Sequence, residues 1–231
     1  MPVALLRGLA RLALEALFPA SCIACGRDGE LLCPACLDGA PRAAPPRCPV
    51  CWQAWPAASR CRDCALAPPT YEAVRSAFVY EGPVREAVHA LKFRGVAALA
   101  PTMAAPMARL LAAWAPPVDA IVPVPLPWLR ERARGYDQAR SLATELGRAV
   151  GLPVLGGLLS RRWTPPQAGL SARERRRNVA DAFRARRRVP GLRLLLVDDV
   201  LTTGATLDAC ARALRDAGAA GVWGLTFARE G

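Results

Sequence analysis

Short apolar runs alternate with longer stretches of mixed residues after residue 70, and this pattern predicts strands that alternate with helices. Strands are predicted where a few apolar residues stand between turn residues, at 74–80, 118–124, 153–159, 192–197 and 222–227. Helices are predicted over the longer stretches, at 82–93, 96–114, 136–150 and 205–217. The alternation indicates an α/β fold, in which helices cover a parallel sheet.

The first nineteen residues have a different pattern. Their apolar residues are interrupted by Arg7, Arg11 and Glu15, which predicts an amphipathic helix that packs on its own domain; binding to a membrane surface is the alternative. No stretch reaches the roughly 18 uncharged apolar residues of a membrane span, so we expect no transmembrane segment. Because the segment does not resemble an export signal, we expect a cytoplasmic protein.

The run from Leu194 to Thr206 carries the clearest chemistry. Four apolar residues, typical of a buried parallel strand, precede the adjacent acids Asp198 and Asp199. These carboxylates are suited to accept hydrogen bonds from two ribose hydroxyls. The turn that follows is suited to hold a phosphate at a helix N-terminus, and it contains Thr202, Thr203, Gly204, Ala205 and Thr206. The alternative is a strand followed by a capped helix without a ligand.

Eight of the nine cysteines form four CxxC pairs between residues 22 and 64. The pairs are Cys22/Cys25, Cys33/Cys36, Cys48/Cys51 and Cys61/Cys64. This spacing predicts two structural zinc ions, each held by four thiolates. Neighbouring pairs that share a zinc ion form a double zinc ribbon, and an interleaved arrangement is the alternative. The alternative to zinc is a disulfide framework, which requires an oxidising compartment. The ninth cysteine, Cys210, is predicted to be a small core residue.

The chain has 231 residues, of which 53% are hydrophobic, and its net charge is +12 with a pI of about 10.1. The hydrophobic fraction is enough for a core, and the positive charge fits nucleic acid or phosphorylated substrates as partners. However, Lys92 is the only lysine, and the abundance of alanine, arginine and proline is also typical of a GC-rich genome. The arginine excess therefore has two open explanations.

The run 194–206 resembles the signature of type I phosphoribosyltransferases, which binds phosphoribosyl pyrophosphate (PRPP). The resemblance implies that Asp198 and Asp199 hold the ribose and that 202–206 hold the 5-phosphate, with Mg²⁺ bound together with PRPP. It also implies that the loop after an early strand, with Pro123, Val124 and Pro125, binds the pyrophosphate. Arg134, Tyr136 and Lys92 are further candidates near the phosphates; the alternatives are a solvated basic face and compensation of helix charge.

Several segments from different parts of the chain together resemble the ComF family. The resemblance rests on the four CxxC pairs, Lys92-Phe93-Arg94-Gly95, residues 122–125, residues 130–138, residues 164–178 and the 194–206 run. Besides the helix that the pattern predicts at 1–19, it implies a double zinc ribbon at 20–66 and a type I phosphoribosyltransferase domain at 71–231. It also implies a link to natural competence, single-stranded DNA and competence proteins of the helicase type. Tyr136 and Asp137 stand where relatives often carry Phe and Asn.

Ten arginines lie between Arg161 and Arg188, with Trp163 and Phe183 among them. Aromatic and basic residues together are typical of surfaces that bind single-stranded nucleic acid. The segment also precedes the PRPP strand, where this enzyme class carries a mobile hood that closes over the substrate. The alternative is a solvated run of charge.

Two functions of different classes follow. The first is an enzyme that transfers ribosyl phosphate from PRPP to an acceptor that the sequence does not identify. The alternative is a non-catalytic module that binds single-stranded nucleic acid and carries a PRPP-sensing or relic pocket. A purine-salvage or glutamine-dependent enzyme is a weaker third hypothesis, and we expect no glutaminase activity because the sequence opens with Met1-Pro2 rather than a reactive cysteine.

Overall fold

The computed structural model describes residues 20–57, 59–162 and 182–231. Its strands are β1 (Ala73–Val79), β2 (Ala120–Pro123), β3 (Leu159–Arg161), β4 (Phe183–Ala185), β5 (Arg193–Leu201) and β6 (Gly221–Arg229). Its helices are α1 (Pro34–Asp38), α2 (Arg62–Leu66), α3 (Gly82–Phe93), α4 (Ala100–Trp114), α5 (Trp128–Arg134), α6 (Gln138–Val150) and α7 (Ala205–Asp216). The predicted helix in residues 1–19 lies outside the described residues. None of the helices described here is long and apolar enough to cross a membrane.

The central sheet has the strand order β1-β6-β5-β2, and all of its strands are parallel. This confirms the parallel sheet that the alternating pattern predicts. The strand predicted at 192–197 is longer in the structure, because β5 continues through both acids to Leu201. The cause is β6, which pairs with β5 as far as the register Leu201↔Arg229, whereas β2 ends at Pro123.

The prediction of a strand at 153–159 is largely wrong. Val154 makes only an isolated parallel bridge to Ile121, and the chain then turns at Gly156 and Gly157, where Gly157 has a φ of +82°. The next strand, β3, begins at Leu159 and pairs antiparallel with β4 in a separate two-stranded sheet. The turn redirects the chain because a glycine accepts this left-handed backbone without strain.

Two hydrophobic layers form the core, one on each face of the central sheet. The first layer contains the apolar faces of α3, α4 and α6, and the second contains those of α7, β3 and β4. The cysteine-rich segment contributes to both layers, because Cys22 and Cys33 join the first and Cys48 and Cys61 join the second. The cysteine-rich segment therefore straddles one edge of the sheet.

That edge is β1, and the cysteine-rich segment covers it with backbone hydrogen bonds. Val79 N–H donates to the Pro41 carbonyl at 2.8 Å, and Ala43 N–H donates to the Ala77 carbonyl at 3.1 Å. An exposed edge strand offers unpaired backbone groups to other chains. The cysteine-rich segment removes this exposure along part of β1.

Gly147 gives a test of the packing between α6 and the segment that follows it. A Cβ on Gly147 would lie 2.5 Å from Val154 Cγ2 and 2.9 Å from the Leu152 carbonyl oxygen. Alanine in a helix is favoured over glycine by about 1 kcal/mol, but this clash should outweigh the gain. We expect Gly147→Ala to lower the free energy of unfolding by about 1–3 kcal/mol, measured by urea titration.

Gly156→Ala is the matched control, because a Cβ there meets nothing within 4 Å. Its free energy of unfolding should stay within about 0.5 kcal/mol of the wild type. A Gly147→Ala protein as stable as the wild type would contradict the close approach of α6 to residues 152–154.

Candidate functional site

The two adjacent acids lie near the carboxyl end of β5, on opposite faces of the sheet. Successive residues of a strand point to opposite sides, and Asp199 follows Leu195 and Val197, which belong to the first layer. Asp199 is only 2% exposed, whereas Asp198 is partly exposed. The sequence predicts both carboxylates in one pocket, and the structure gives them different surroundings.

Asp199 forms a buried ion pair with Lys92. Lys92 Nζ lies 2.9 Å from Asp199 Oδ1, and the lysine side chain is 24% exposed. Lys92 belongs to the last turn of α3, so the contact joins a helix of the first layer to the central strand. The second oxygen, Asp199 Oδ2, is buried and has no hydrogen-bond partner among the described residues. Asp199 therefore keeps one acceptor for a donor that a ligand can bring.

Asp198 is electrostatically coupled to its neighbour. Its Oδ1 accepts a hydrogen bond from the Asp199 backbone N–H at 2.9 Å. Desolvation and, after it, the charge of Asp199 raise the pKa of Asp198 well above its usual value. The pair therefore favours a ligand that brings hydroxyl donors or positive charge.

The turn after β5 opens helix α7. Gly204 is the residue that precedes the helix, and its φ of +81° is in the left-handed region that favours glycine. Thr202 and Thr203 are exposed, and Ala205 and Thr206 are partly exposed. The first backbone N–H groups of a helix lack partners within the helix, so the turn presents hydrogen-bond donors and hydroxyls to solvent. This arrangement can hold an anion.

Sequence reasoning missed Tyr71, which lies against this turn. A Cβ on Gly204 would lie 3.0 Å from Tyr71 Oη. Tyr71 is 5% exposed, and burial raises the pKa of its phenol. The residue immediately follows the stretch 65–70, whose composition is typical of a linker, and a single tyrosine after a linker gives no signal of a contact with residue 204.

The segment between α5 and α6 brings Arg134 and Tyr136 to the end of α3. The Tyr136 hydroxyl donates to the Leu91 carbonyl, and burial raises the pKa of Tyr136. The Arg134 guanidinium lies over the Phe93 ring, 5.1 Å from its centroid, and donates to Gln138 Oε1 at 3.0 Å. Candidate residues from two distant parts of the sequence therefore meet beside Lys92.

Asp137 is a second residue whose role sequence reasoning missed. It is 5% exposed, and its Oδ1 accepts a hydrogen bond from the Arg140 backbone N–H at 3.1 Å. This bond caps the N-terminus of α6. An acid before a predicted helix is an N-cap signal, but nothing in the sequence indicates that this carboxylate is buried. Burial raises the pKa of Asp137.

The four CxxC pairs form two separate four-cysteine sites. Cys22, Cys25, Cys33 and Cys36 form the first site, and Cys48, Cys51, Cys61 and Cys64 form the second. Within each site the sulfur atoms lie within 4.8 Å of one another, and Cys25–Cys33 and Cys51–Cys61 are both 3.7 Å apart. Zn–S bonds of about 2.3 Å in a tetrahedron require sulfur separations of about 3.8 Å. The sites therefore fit structural zinc, and neighbouring pairs share each site rather than interleaving.

The two zinc sites repeat the same local geometry. In the first site Cys33 N–H donates to Cys22 Sγ at 3.4 Å, and in the second site Cys61 N–H donates to Cys48 Sγ at 3.4 Å. Burial opposes ionisation of both accepting thiols, but backbone N–H donors lower the pKa of Cys22 and of Cys48 to about 6. N–H donors of this kind favour the thiolate form that binds a metal. Cys210 is buried in α7, as predicted.

The arginine-rich segment is described only at its two ends. Five arginines at these ends are exposed: Arg162, Arg184, Arg186, Arg187 and Arg188. The Arg161 guanidinium lies over the Phe183 ring, 5.1 Å from its centroid. Residues 163–181, which include Trp163 and the arginines Arg173 to Arg177, lie outside the described residues. The described ends form a basic surface beside β3 and β4.

Two protein families match the chain. The family described as "Double zinc ribbon domain" matches residues 13–65, and the family described as "Phosphoribosyl transferase domain" matches residues 95–228. The second match alone covers more than half of the chain. Together with the parallel sheet and the two four-cysteine sites, these matches confirm the predicted type I phosphoribosyltransferase fold with an N-terminal double zinc ribbon.

Similar proteins have names that refer to competence and DNA utilization. "Competence protein F" of Haemophilus influenzae is 42% identical over 116 residues, which are 48% of this chain and 51% of that protein. "DNA utilization protein YhgH" of Salmonella typhimurium is 36% identical over 208 residues, which are 87% of this chain and 85% of that protein. "Competence protein ComFC" of Bacillus subtilis is 28% identical over 212 residues, or 88% and 86% of the two chains. The chain thus spans about half of the first relative and most of the other two.

Solved structures with partial similarity include phosphoribosyltransferases. Glutamine PRPP amidotransferase from B. subtilis, complexed with ADP and GMP, has a TM-score of 0.38 and 26% identity, and the match covers 55% of this chain and 26% of that chain. Purine phosphoribosyltransferase from Pyrococcus horikoshii has a TM-score of 0.36 and 15% identity, and the match covers 56% and 82%.

The zinc sites predict a metal content that mutation lowers in single steps. The wild-type chain should bind two equivalents of zinc, and Cys22→Ser with Cys25→Ser should bind one, because two ligands of the first site are removed while the second site is intact. Elemental analysis of the dialysed protein measures this. Cys210→Ala is the control and should retain two equivalents, and a double Ser variant that also retained two would contradict the assignment of the first site.

Proposed function

Because the chain belongs to the ComF family, we propose that its phosphoribosyltransferase domain binds PRPP with Mg²⁺ and transfers ribosyl phosphate to an acceptor. The observation that carries this proposal is the arrangement at the carboxyl end of β5. Two acids, of which Asp199 has an oxygen without a partner among the described residues, are followed within a few residues by a hydroxyl-rich turn that opens α7. Ligands of open α/β sheets bind at this edge.

The acids and the turn have separate roles in the proposed complex. The ribose hydroxyls donate to Asp198 and to the unpartnered Asp199 Oδ2, which satisfies a buried acceptor that otherwise costs free energy. The 5-phosphate accepts hydrogen bonds from the backbone and hydroxyl groups of residues 202–206. The positive end of α7 adds to the attraction for this phosphate.

The pyrophosphate lies towards the second group of candidate residues. The loop at Pro123, Val124 and Pro125 lies beside the end of β5, because Val124 N–H donates to the Val197 carbonyl at 3.0 Å. Arg134 lies near Lys92, so this side of the site offers positive charge to the leaving group, and Tyr136 holds the end of α3 in place through its bond to the Leu91 carbonyl. Bound Mg²⁺ supplies further neutralisation of the pyrophosphate.

The reaction needs no nucleophilic side chain from the protein. The bond between ribose C1 and pyrophosphate breaks, and a bond between C1 and the acceptor forms, while the acids hold the ribose in position. Transition-state charge is stabilised by groups that are already oriented. This accounts for a site with acids, a lysine and hydroxyls.

Single-stranded DNA is the proposed macromolecular partner, and the cytoplasm is the proposed location. Exposed arginines at positions 184 and 186–188 offer positive charge to a phosphate backbone. The relatives' names refer to competence and DNA utilization, which fits a partner of this kind, with helicase-type competence proteins as further proposed partners. The same arginines favour the second candidate function, a non-catalytic module that binds single-stranded nucleic acid and uses the PRPP pocket as a sensor or keeps it as a relic.

The pocket is tested by calorimetric titration of the zinc-loaded chain with PRPP and Mg²⁺. We expect Asp198→Asn with Asp199→Asn to weaken PRPP binding at least 100-fold, because two hydrogen bonds to charged acceptors are removed, each worth about 1.5–3 kcal/mol. The single variant Asp198→Asn keeps the ion pair of Lys92 and should show part of this weakening.

Asp119→Asn is the control for this titration. Asp119 is a carboxylate that pairs with Arg193 at the opposite end of β5, with 2.6 Å between Oδ1 and the guanidinium. The Asp119→Asn variant should bind PRPP like the wild type. If the wild type and the double Asn variant bind PRPP with equal affinity, the proposed pocket is refuted. If the wild type binds DNA but no PRPP, the result favours the non-catalytic module with a relic pocket.

The basic surface is tested by replacing Arg184, Arg186, Arg187 and Arg188 with Gln. The affinity for a single-stranded oligonucleotide should fall. Its dependence on salt should also become weaker, by about 0.7 in the slope of log K against log[salt] for each phosphate that the variant no longer neutralises. Fluorescence anisotropy at several salt concentrations measures both quantities.

The control removes the same charge from helices of the first layer. It replaces four exposed arginines with Gln: Arg85, Arg109, Arg140 and Arg148. A fall in affinity of the same size in both variants would mean that DNA responds only to net charge and would contradict a specific basic surface.

A further inference from the structure

Tyr71 is a buried tyrosine whose hydroxyl group has no hydrogen-bond partner in the described part of the chain. The residue is 5% exposed, and its ring packs in the second layer together with Leu201 and Leu207. The hydroxyl oxygen is not one of the buried polar atoms that lack a partner in the described part of the chain, so it reaches solvent. It can therefore donate to an acceptor that a ligand brings to this place.

The hydroxyl group lies against the turn that opens α7. Tyr71 Oη would be 3.0 Å from a Cβ on Gly204, so it touches the backbone at the centre of the turn. The preceding residue holds the first turn of the same helix, because Thr70 N–H donates to Asp208 Oδ1 at 2.5 Å. Residues 70 and 71 thus contact both the turn and the helix that it opens.

The local chemistry indicates which acceptor fits. The turn and the start of α7 present backbone N–H groups, which are donors and cannot accept the phenol proton. A bound phosphate supplies oxygens that accept from the N–H groups and from the hydroxyl group at once. A phenol is neutral and adds a donor without adding charge.

We propose that Tyr71 is a further phosphate-binding residue, whose hydroxyl group donates to the phosphate held by residues 202–206, and that the second zinc site holds it in place. This rests on the proposed function, since it assigns a new donor to the same sugar-phosphate site. It also gives the zinc ribbon a direct role in ligand binding.

The second zinc site is close to Tyr71 along the chain and in the fold. Cys64 belongs to α2, which ends at Leu66, and Cys48, Cys61 and Cys64 pack in the same hydrophobic cluster as Tyr71. The Val50 carbonyl, between two of the ligands, accepts a hydrogen bond from Val74 N–H at 2.9 Å. The site thus fixes the chain on both sides of Tyr71. The first zinc site packs in the other layer, against α3 and β1.

The test is calorimetric titration of the full zinc-loaded chain with ribose 5-phosphate, which carries the ribose and the 5-phosphate but no pyrophosphate. Tyr71→Phe keeps the ring and removes only the hydroxyl group, and it should weaken binding about tenfold or more, as expected for a hydrogen bond to a charged acceptor. Tyr80→Phe is the matched control, because Tyr80 packs in the first layer, and it should bind like the wild type.

The outcomes separate this inference from the proposed function. If the wild type binds ribose 5-phosphate and Tyr71→Phe binds it equally well, the inference is wrong and the proposed pocket stands. If the wild type binds neither ribose 5-phosphate nor PRPP, both are wrong. A tenfold weakening in Tyr71→Phe with no weakening in Tyr80→Phe supports both.

The role of zinc is tested by comparing one ligand from each site. Cys51→Ser should lower the affinity for ribose 5-phosphate at least as much as Tyr71→Phe, whereas Cys25→Ser should leave it within about twofold of the wild type.

Far-UV circular dichroism establishes that each variant is folded. The double variant Cys51→Ser with Tyr71→Phe should bind ribose 5-phosphate no more weakly than Cys51→Ser alone. The proposed coupling between the second zinc site and Tyr71 is overturned if Cys25→Ser and Cys51→Ser lower the affinity for ribose 5-phosphate equally. It is also overturned if the double variant binds ribose 5-phosphate more weakly than Cys51→Ser alone. If Cys51→Ser does not fold, Tyr71→Phe still decides whether the hydroxyl group binds the phosphate.

Discussion

The buried ion pair between Lys92 and Asp199 is the interaction on which the candidate site depends. A carboxylate that is 2% exposed at the end of a central strand is stable only with a cation nearby, and Lys92 supplies it from the last turn of α3. This contact fixes the end of α3 beside β5. Tyr136 then bonds to the backbone of the same turn, and Arg134 lies over Phe93. One charge requirement therefore gathers residues from three parts of the chain.

The zinc ribbon is integrated with the phosphoribosyltransferase domain through the edge of the sheet. It bonds to the backbone of β1, and its two zinc sites contribute to the cores on opposite faces. A small module with few large apolar side chains gains stability from metal binding and from this shared core. Because each zinc site packs against a different layer, loss of one metal ion affects a different part of the domain from loss of the other.

Local patterns predicted much of the fold and part of the site. The helices predicted at 82–93 and 205–217 and the parallel sheet follow from the alternation of short apolar runs with longer mixed stretches, and the two zinc sites follow from cysteine spacing. The strand at 153–159 was wrong because a short apolar run does not reveal where a glycine turn redirects the chain. The contact of Tyr71 with the turn at Gly204 and the burial of Asp137 were missed because both depend on contacts between residues that are distant in sequence.

The sequence by itself determined the chemical inventory: four CxxC pairs, two adjacent acids, and a glycine turn with three threonines. These features are local, since each depends on residues within a few positions of one another. Tertiary structure decided which cysteine pairs share a site, which acid is buried against Lys92, and that Tyr71 lies on the turn at Gly204. Such contacts follow from how the layers pack on the sheet, and packing brings together residues whose positions along the chain carry no mutual signal.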